Sequence, residues 1–295
     1  MKKLYAQIIF IVSAMHMCLG AKIVDSYAIT DIIKYLDPTI APKDTLIVYD
    51  LDNTLIESVN EMGSPQQFSA LLRKRMALYG ITKEEAIEQT LPLYTLIAQY
   101  TPIRPIEDTT VNLINLLQDA GYKSVVLTAR TGNNLAATTC KQLSDLHIDF
   151  TKSAVTKKSI KDPSFVYQCN IIFADGGNKG ELLLKFLKAT KFNPKLIIFV
   201  DDKDYNVHAV EGSLQQKGMN HVSIQYRFCD EKAHAFDLAA TEPLLLSLVN
   251  QYPDVKKAYE HYVTNSTNNM KQPHKSVHTK VPKRENPSNN QPSHN

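Results

Sequence analysis

LIVYDLDNT, residues 46–54, is a short apolar run that stops abruptly at two acids spaced two apart, Asp50 and Asp52, followed by Asn53 and Thr54. An uninterrupted apolar run of this length is the mark of a strand buried on both faces, which is the situation of strands in a parallel sheet. Working outward, Val24 to Leu36 carries Ile29, Ile32, Ile33 and Leu36 at helical spacing, and Pro38 and Pro42 close it. Residues 65–99 read as two helices broken near Gly80, the second capped by Thr82 with Glu85 three positions on. A helix over 108–120 ends at Gly121. Ser124 to Leu127 is a second buried strand, and a helix follows from Asn133 to Leu146. A third short strand is expected at Ile148-Asp149-Phe150, and a small hairpin at Phe165-Val166-Tyr167 and Ile171-Ile172-Phe173. A helix from Lys179 to Thr190, a fourth core strand from Leu196 to Val200, a helix over 204–217 and a strand from Val222 to Phe228 complete the alternation. Such alternation implies right-handed crossovers and an α/β fold with a doubly wound, mostly parallel sheet.

Open sheets of this kind bind ligands beyond the carboxyl ends of their strands. The first strand runs into Asp50-Leu51-Asp52, the second into Thr128-Ala129-Arg130 and the fourth into Asp201-Asp202-Lys203-Asp204, while Lys179 opens the helix before that fourth strand. Carboxylates crowded on one rim repel each other or take up protons unless a cation joins them. Magnesium, which prefers a few carboxylates, several waters and phosphate oxygens, resolves the conflict and points to phosphoryl chemistry with a carboxylate nucleophile. Arg130 and Arg104 suit either a substrate anion or a structural ion pair.

The four segments "DLDNT", "LTAR", "GNKGELL" and "FVDDKDYN" resemble, in order, the motifs of the haloacid dehalogenase superfamily and span residues 46–206. The resemblance implies that Asp50 attacks phosphorus, that Asp52 serves as general acid and base with its backbone carbonyl on the metal, and that Thr128 holds a phosphoryl oxygen. It further implies that Lys179 neutralises the nucleophile and the phosphoryl group, and that the metal set is Asp50, Asp52, Asp201 and Asp202. Asp202 is favoured as the direct ligand and Asp201 as the water-mediated one. Asn206 stands where many relatives carry another acid, which leaves open which of Asp201, Asp202, Asp204 and Asn206 touches the metal. The DxD pair selects a phosphatase or phosphotransferase within the superfamily. Hydrolysis is preferred outside the cytosol, where ATP is scarce; an interaction protein that keeps the fold is the alternative from another class. The substrate implied is a small phosphomonoester or a terminal phosphate on a larger molecule.

The 295 residues carry 43% hydrophobic and 21% charged side chains, an ordinary globular composition that excludes collagen-like or wholly disordered chains. The net charge of +3 is uneven: residues 264–295 hold five basic groups against Glu285, and residues 1–21 hold Lys2 and Lys3 with no acid, so residues 22–263 have a net charge of −3. An acidic body gives no reason to expect a nucleic-acid groove in the core. Lys2 and Lys3, an apolar run from Leu4 to Leu19 and the small Gly20-Ala21 predict a signal peptide over 1–21, an exported protein and only transient membrane contact. Cys140, Cys169 and Cys229 remain, either as one disulfide and one thiol or as three buried thiols. The expected divisions are a hydrolase domain over 22–263, a helical cap inserted over 57–107, a small flap over 151–178 and a disordered polar tail over 264–295. The chain is also similar to a group of exported bacterial proteins of the same superfamily, which share the signal and the "GNKGELL…DDK" region.

Overall fold

The structure is a computed structural model that describes residues 23–160 and 162–270. Its centre is a seven-stranded sheet of β1 (Ile23–Ser26), β2 (Thr45–Tyr49), β5 (Lys123–Thr128), β6 (Val166–Gln168), β7 (Ile171–Phe173), β8 (Leu196–Asp201) and β9 (His221–Tyr226), in the order β1-β9-β8-β2-β5-β7-β6. All neighbours pair in parallel except β6 and β7. Every residue of β2, β8 and β9 is buried; β2 and β8 are near-continuous apolar runs, as this requires, whereas β9 also buries His221 and Gln225. On one face the sheet packs α3 (Thr110–Asp119) and α4 (Gly132–Asp145), through Leu113, Ile114, Leu117, Ala136 and Leu143. On the other it packs α5 (Lys179–Thr190) and α6 (Asp204–Gln216), through Leu183, Phe186, Val207, Val210 and Leu214. This is the doubly wound α/β architecture expected. The chain leaves β2 toward β5 on one side and returns through β8 on the other, which puts the switch of direction at β2.

Between β2 and α3 the chain inserts a helical cap: α1 (Pro65–Tyr79) and α2 (Lys83–Tyr100). Gly80 ends α1 in the left-handed conformation, at φ +63°, and Thr82 and Glu85 form the expected reciprocal capping box on α2. The two connections between cap and core are themselves paired, as the antiparallel β3 (Ile56–Ser58) and β4 (Ile103–Pro105). The cap is not self-sufficient. After α7 (Asp230–His234), helices α8 (Leu238–Gln251) and α9 (Pro253–Met270) return to cover it, so that Met62, Leu93 and Ile97 share an apolar cluster with Leu245, Val249 and Val255. Tyr100 stacks on Tyr252 with ring centroids 3.8 Å apart, and the buried Arg75 guanidinium lies 4.2 Å from the centre of the Tyr262 ring. The lid is thus built from two distant parts of the sequence.

Three expectations need correction. Residues 24–36 are not one α-helix: Ile23–Ser26 pairs with β9 as an edge strand, and a 3₁₀ helix, Ile29–Tyr35, follows. The spacing Ile29, Ile32 that suggested an α-helix also satisfies a period of three. Ile148 to Phe150 is not a strand, because β7 takes the place beside β5; Ile148 and Phe150 are buried from an irregular segment instead. Helix α9 runs through Met270, seven residues into the stretch expected to be disordered from 264. The hairpin at 165–173 is present, and through β7 it extends the main sheet. The leader over 1–21 and the tail after Met270 lie outside the described residues.

Cys140 on α4 and Cys169 in the β6–β7 turn form a disulfide, with Cα atoms 6.0 Å apart and 29 residues of separation, and Cys229 is a buried thiol. A loop of this length closed in the unfolded chain stabilises the fold by about 3–4 kcal/mol on chain-entropy grounds. Reduction with a thiol is therefore expected to lower the denaturation midpoint without changing the far-ultraviolet spectrum. A midpoint unmoved by reduction would show that the crosslink contributes nothing.

Candidate active site

Asp50 is the first residue past β2, and its backbone N–H still donates to the Val200 carbonyl at 2.8 Å, which locks it to the end of β8. The chain then turns over Leu51, whose carbonyl accepts the N–H groups of Leu55 and Ile56. Asn53 takes the left-handed conformation that this turn demands, φ +63°, and Asn tolerates it better than most side chains. Thr54 Oγ1 donates to Asp50 Oδ2 at 3.3 Å.

Lys179 lies at the first position of α5, whose N-cap Asn178 accepts from the Glu181 N–H. A cation there opposes the helix dipole, so local preference does not explain it. Two carboxylates do: buried Lys179 Nζ donates to Asp50 Oδ1 and to Asp201 Oδ2, the latter at 2.7 Å. Gly180 makes the approach feasible, since a Cβ there would run into the Ala209 carbonyl and Ser213 of α6. Asp201 closes β8 with every oxygen engaged, Oδ1 accepting from the Lys203 N–H at 2.8 Å and from Asn206 Nδ2 at 3.1 Å. Asp202 Oδ2 accepts from Asn53 Nδ2 at 3.0 Å and pairs with Lys203 Nζ at 2.9 Å.

Oxygens of Asp50, Asp201 and Asp202 all lie within 4.8 Å of one another. Burial, and then the Asp201 charge, push the Asp50 carboxyl well above the ordinary range against the pull of Lys179. Burial raises Asp202 as well, with Lys203 opposing and Asp201 adding to the rise. For Lys179 burial acts downward, but the Asp201 and Asp50 carboxylates outweigh it and hold the ammonium charged. Three carboxylates against two ammonium groups leave an all-oxygen pocket short of positive charge, and that donor set fits a hard divalent cation. Asp204 stands apart: its side chain is 69% exposed, 3.9 Å from His208. Asn206 reaches the cluster only by supporting Asp201.

Thr128 ends β5 beside Asp50, buried, with Oγ1 accepting from the Arg130 N–H at 3.2 Å. Asp52 is not among the three gathered carboxylates. Arg130 grips it through both oxygens, Nε to Oδ2 at 2.9 Å and Nη2 to Oδ1 at 2.7 Å. Arg130 thus forms an ion pair, and Arg104 likewise pairs with Glu57, through Nε at 2.7 Å. Facing Asp52 from the cap are Gly63, Ser64, Ala98 and Thr101, around a cavity of about 10 Å³, room for about one water. Gln66 of α1 meets Asn53 at 3.4 Å, and Lys232 of α7 bridges Glu57 and Glu61 at 2.7 and 3.0 Å. Asn53, Gln66, Lys203 and Lys232 were not singled out as site residues by sequence. Only Asn53, at a turn that needs positive φ, and Lys203, wedged among acids, carried a signal.

No helix among the described residues is long and apolar enough to cross a membrane. A relative from Chlamydia pneumoniae, named "Putative outer membrane protein", is 27% identical over 188 residues, 61% of this chain and 68% of its own length. Among solved structures, a haloacid dehalogenase-like hydrolase from Streptococcus pneumoniae aligns at 13% identity over 64% of this chain and 97% of its own, with a TM-score of 0.39. A phospho-aspartyl intermediate analogue of phosphoserine phosphatase aligns at 17% identity over 65% of this chain and 98% of its own, with a TM-score of 0.34. Residues 25–263 match the family described as "Protein of unknown function (DUF2608)", and the chain belongs to that family.

Proposed function

We propose that the protein is an exported, magnesium-dependent phosphomonoester hydrolase that works through an aspartyl phosphate on Asp50. The observation that carries this reading is the gathering of Asp50, Asp201 and Asp202 around the buried ammonium of Lys179. Asp202, whose Oδ1 has no partner among the described residues, would hold Mg²⁺ with Asp50 and the Asp52 carbonyl, and Asp201 would stand behind them. The ion, when bound, supplies the positive charge that phosphate oxygens and carboxylates need in order to approach each other. An Asp50 oxygen attacks phosphorus as the bond to the leaving oxygen breaks, and Asp52 gives that oxygen its proton. Asp52 then takes a proton from water, which attacks the same phosphorus and releases Asp50 and inorganic phosphate. Lys179 offsets the charge that develops on the phosphoryl oxygens, and the Thr128 hydroxyl donates to one of them.

The substrate is a small phosphomonoester or a phosphate at the end of a larger molecule, because the insert between β2 and α3 is a modest lid of two helices. A disulfide between Cys140 and Cys169 supports an oxidising compartment, and the name of the chlamydial relative agrees with export. The acidic body supports a core that takes no nucleic acid. A panel of phosphomonoesters assayed with Mg²⁺ and with excess EDTA tests the proposal. Activity should vanish in EDTA and return with added Mg²⁺; turnover unaffected by chelation would refute the metal, and no release of phosphate from any ester would refute the hydrolase.

A further inference from the structure

Arg130 has two working edges. Nε and Nη2 hold Asp52, while Nη1 donates to Thr139 Oγ1 at 3.0 Å and to Gln142 Oε1 at 2.9 Å, one turn apart on α4. The other end of the Gln142 amide leaves the core altogether: Nε2 donates to the Ala98 carbonyl at 3.2 Å and to the Thr101 carbonyl at 3.4 Å. These carbonyls stand at the C-terminal end of α2, where a helix has acceptors with no partner of its own, and where the cap hands the chain back to β4. Only one orientation of the amide serves both sides, since the reverse would set N–H against guanidinium and oxygen against carbonyl. Ala98 and Thr101 also wall the small cavity that Asp52 and Arg130 share with the cap.

We propose that Gln142 is a positioning residue that couples the seating of the cap to the placement of Asp52, through Arg130. The inference rests on the reading of Asp52 as the group that protonates the leaving oxygen. With the cap seated, Gln142 is fixed by two backbone acceptors and in turn fixes the free edge of the guanidinium, whose planar fork then sets the orientation of the Asp52 carboxylate. The fork occupies one lone pair on each carboxylate oxygen and leaves the others for the proton. With the cap displaced, the Gln142 amide has no acceptors, and Arg130 loses one of the contacts that hold it. α4 is a firm base for this relay, since the Gly132 N–H at its start donates to Asp175 Oδ1 at 2.8 Å and Cys140 is crosslinked to the hairpin.

The test exploits leaving groups. p-Nitrophenolate departs without a proton, whereas the alkoxide of glycerol phosphate needs one, so misplacing Asp52 slows transfer of the phosphoryl group to Asp50 far more from the second ester than from the first. In Gln142→Ala, kcat/KM, which reports only the steps up to the phosphoenzyme and not the attack of water that both esters share, should fall about tenfold or more on glycerol phosphate and about twofold on p-nitrophenyl phosphate. Gln142→Glu, which keeps the acceptor for Arg130 but has no donor for the cap carbonyls, should show the same selective loss, and it serves as the test should the alanine variant not fold. Equal losses of kcat/KM on both esters, or a Gln142→Glu enzyme as fast as the parent on glycerol phosphate, would overturn the coupling. A parent enzyme inactive on both esters would overturn the hydrolase reading, and this inference with it.

Discussion

Asp50→Asn is expected to remove at least three orders of magnitude, on the order of 10³-fold or more, from phosphomonoester turnover while the protein stays folded. The amide is nearly isosteric with the carboxylate but is no nucleophile toward phosphorus. The fold should tolerate the exchange because Asp50 adds a second buried carboxylate to a lysine that already holds Asp201 at 2.7 Å. Burial and the Asp201 charge both disfavour the ionised Asp50, so the neutral amide relieves a repulsion. The thermal midpoint should therefore stay constant or rise. Steady-state phosphate release and a melting curve on the same sample check both halves, and residual turnover within tenfold of the parent would rule out Asp50 as the nucleophile.

Lys179→Met is expected to produce the largest loss of stability of any single change at the site. The side chain is 1% exposed and answers two buried carboxylates. Deleting one partner of a buried ion pair costs about 3–5 kcal/mol, because the surviving charge stays out of water with nothing to answer it. Urea unfolding should show the loss. A second replacement, Asp201→Asn, should recover part of it by removing one of the stranded charges. The direction with pH follows from Asp50, whose folded carboxyl binds its proton at a higher pH than the unfolded one. Below the folded value, and above the unfolded one, the native state holds the extra proton, so acidification should lessen the deficit of the lysine variant. A deficit that grows as pH falls would mean that the lost stability has another source.

The strands that carry the site were legible because a strand buried on both faces leaves an unbroken apolar run, and the chemistry begins at the residue where that run stops. Asp50, Thr128 and Asp201 all stand at such stops, which is why their convergence could be expected without coordinates. Elements whose stability comes from distant partners were not legible. Ile23 to Ser26 is a strand only because β9 lies alongside, and β3 and β4 are three-residue pairs with no pattern of their own. Leu245, Val249, Val255 and Tyr262 have helical spacing, but nothing local says that Met62, Leu93 and Ile97 need them. The same holds for Arg130: its pairing with Asp52 is backed by Thr139 and Gln142, which no local pattern announces. Cysteine pairing followed neither spacing nor composition, since the choice among three thiols was settled by α4 meeting the β6–β7 turn.

A lid made from two distant parts of the sequence also sets the order in which the emerging chain can fold. By the time residue 226 has emerged, the chain contains every strand of the sheet and every carboxylate of the cluster. The apolar underside of α2, with Leu93 and Ile97, still waits for Leu245, Val249 and Val255, which come later in the chain. A chain that has emerged only this far holds the rim and leaves Leu93 and Ile97 without the apolar partners that cover them. Helices α8 and α9 then close this cluster, so that rim and cover are completed in turn and not together.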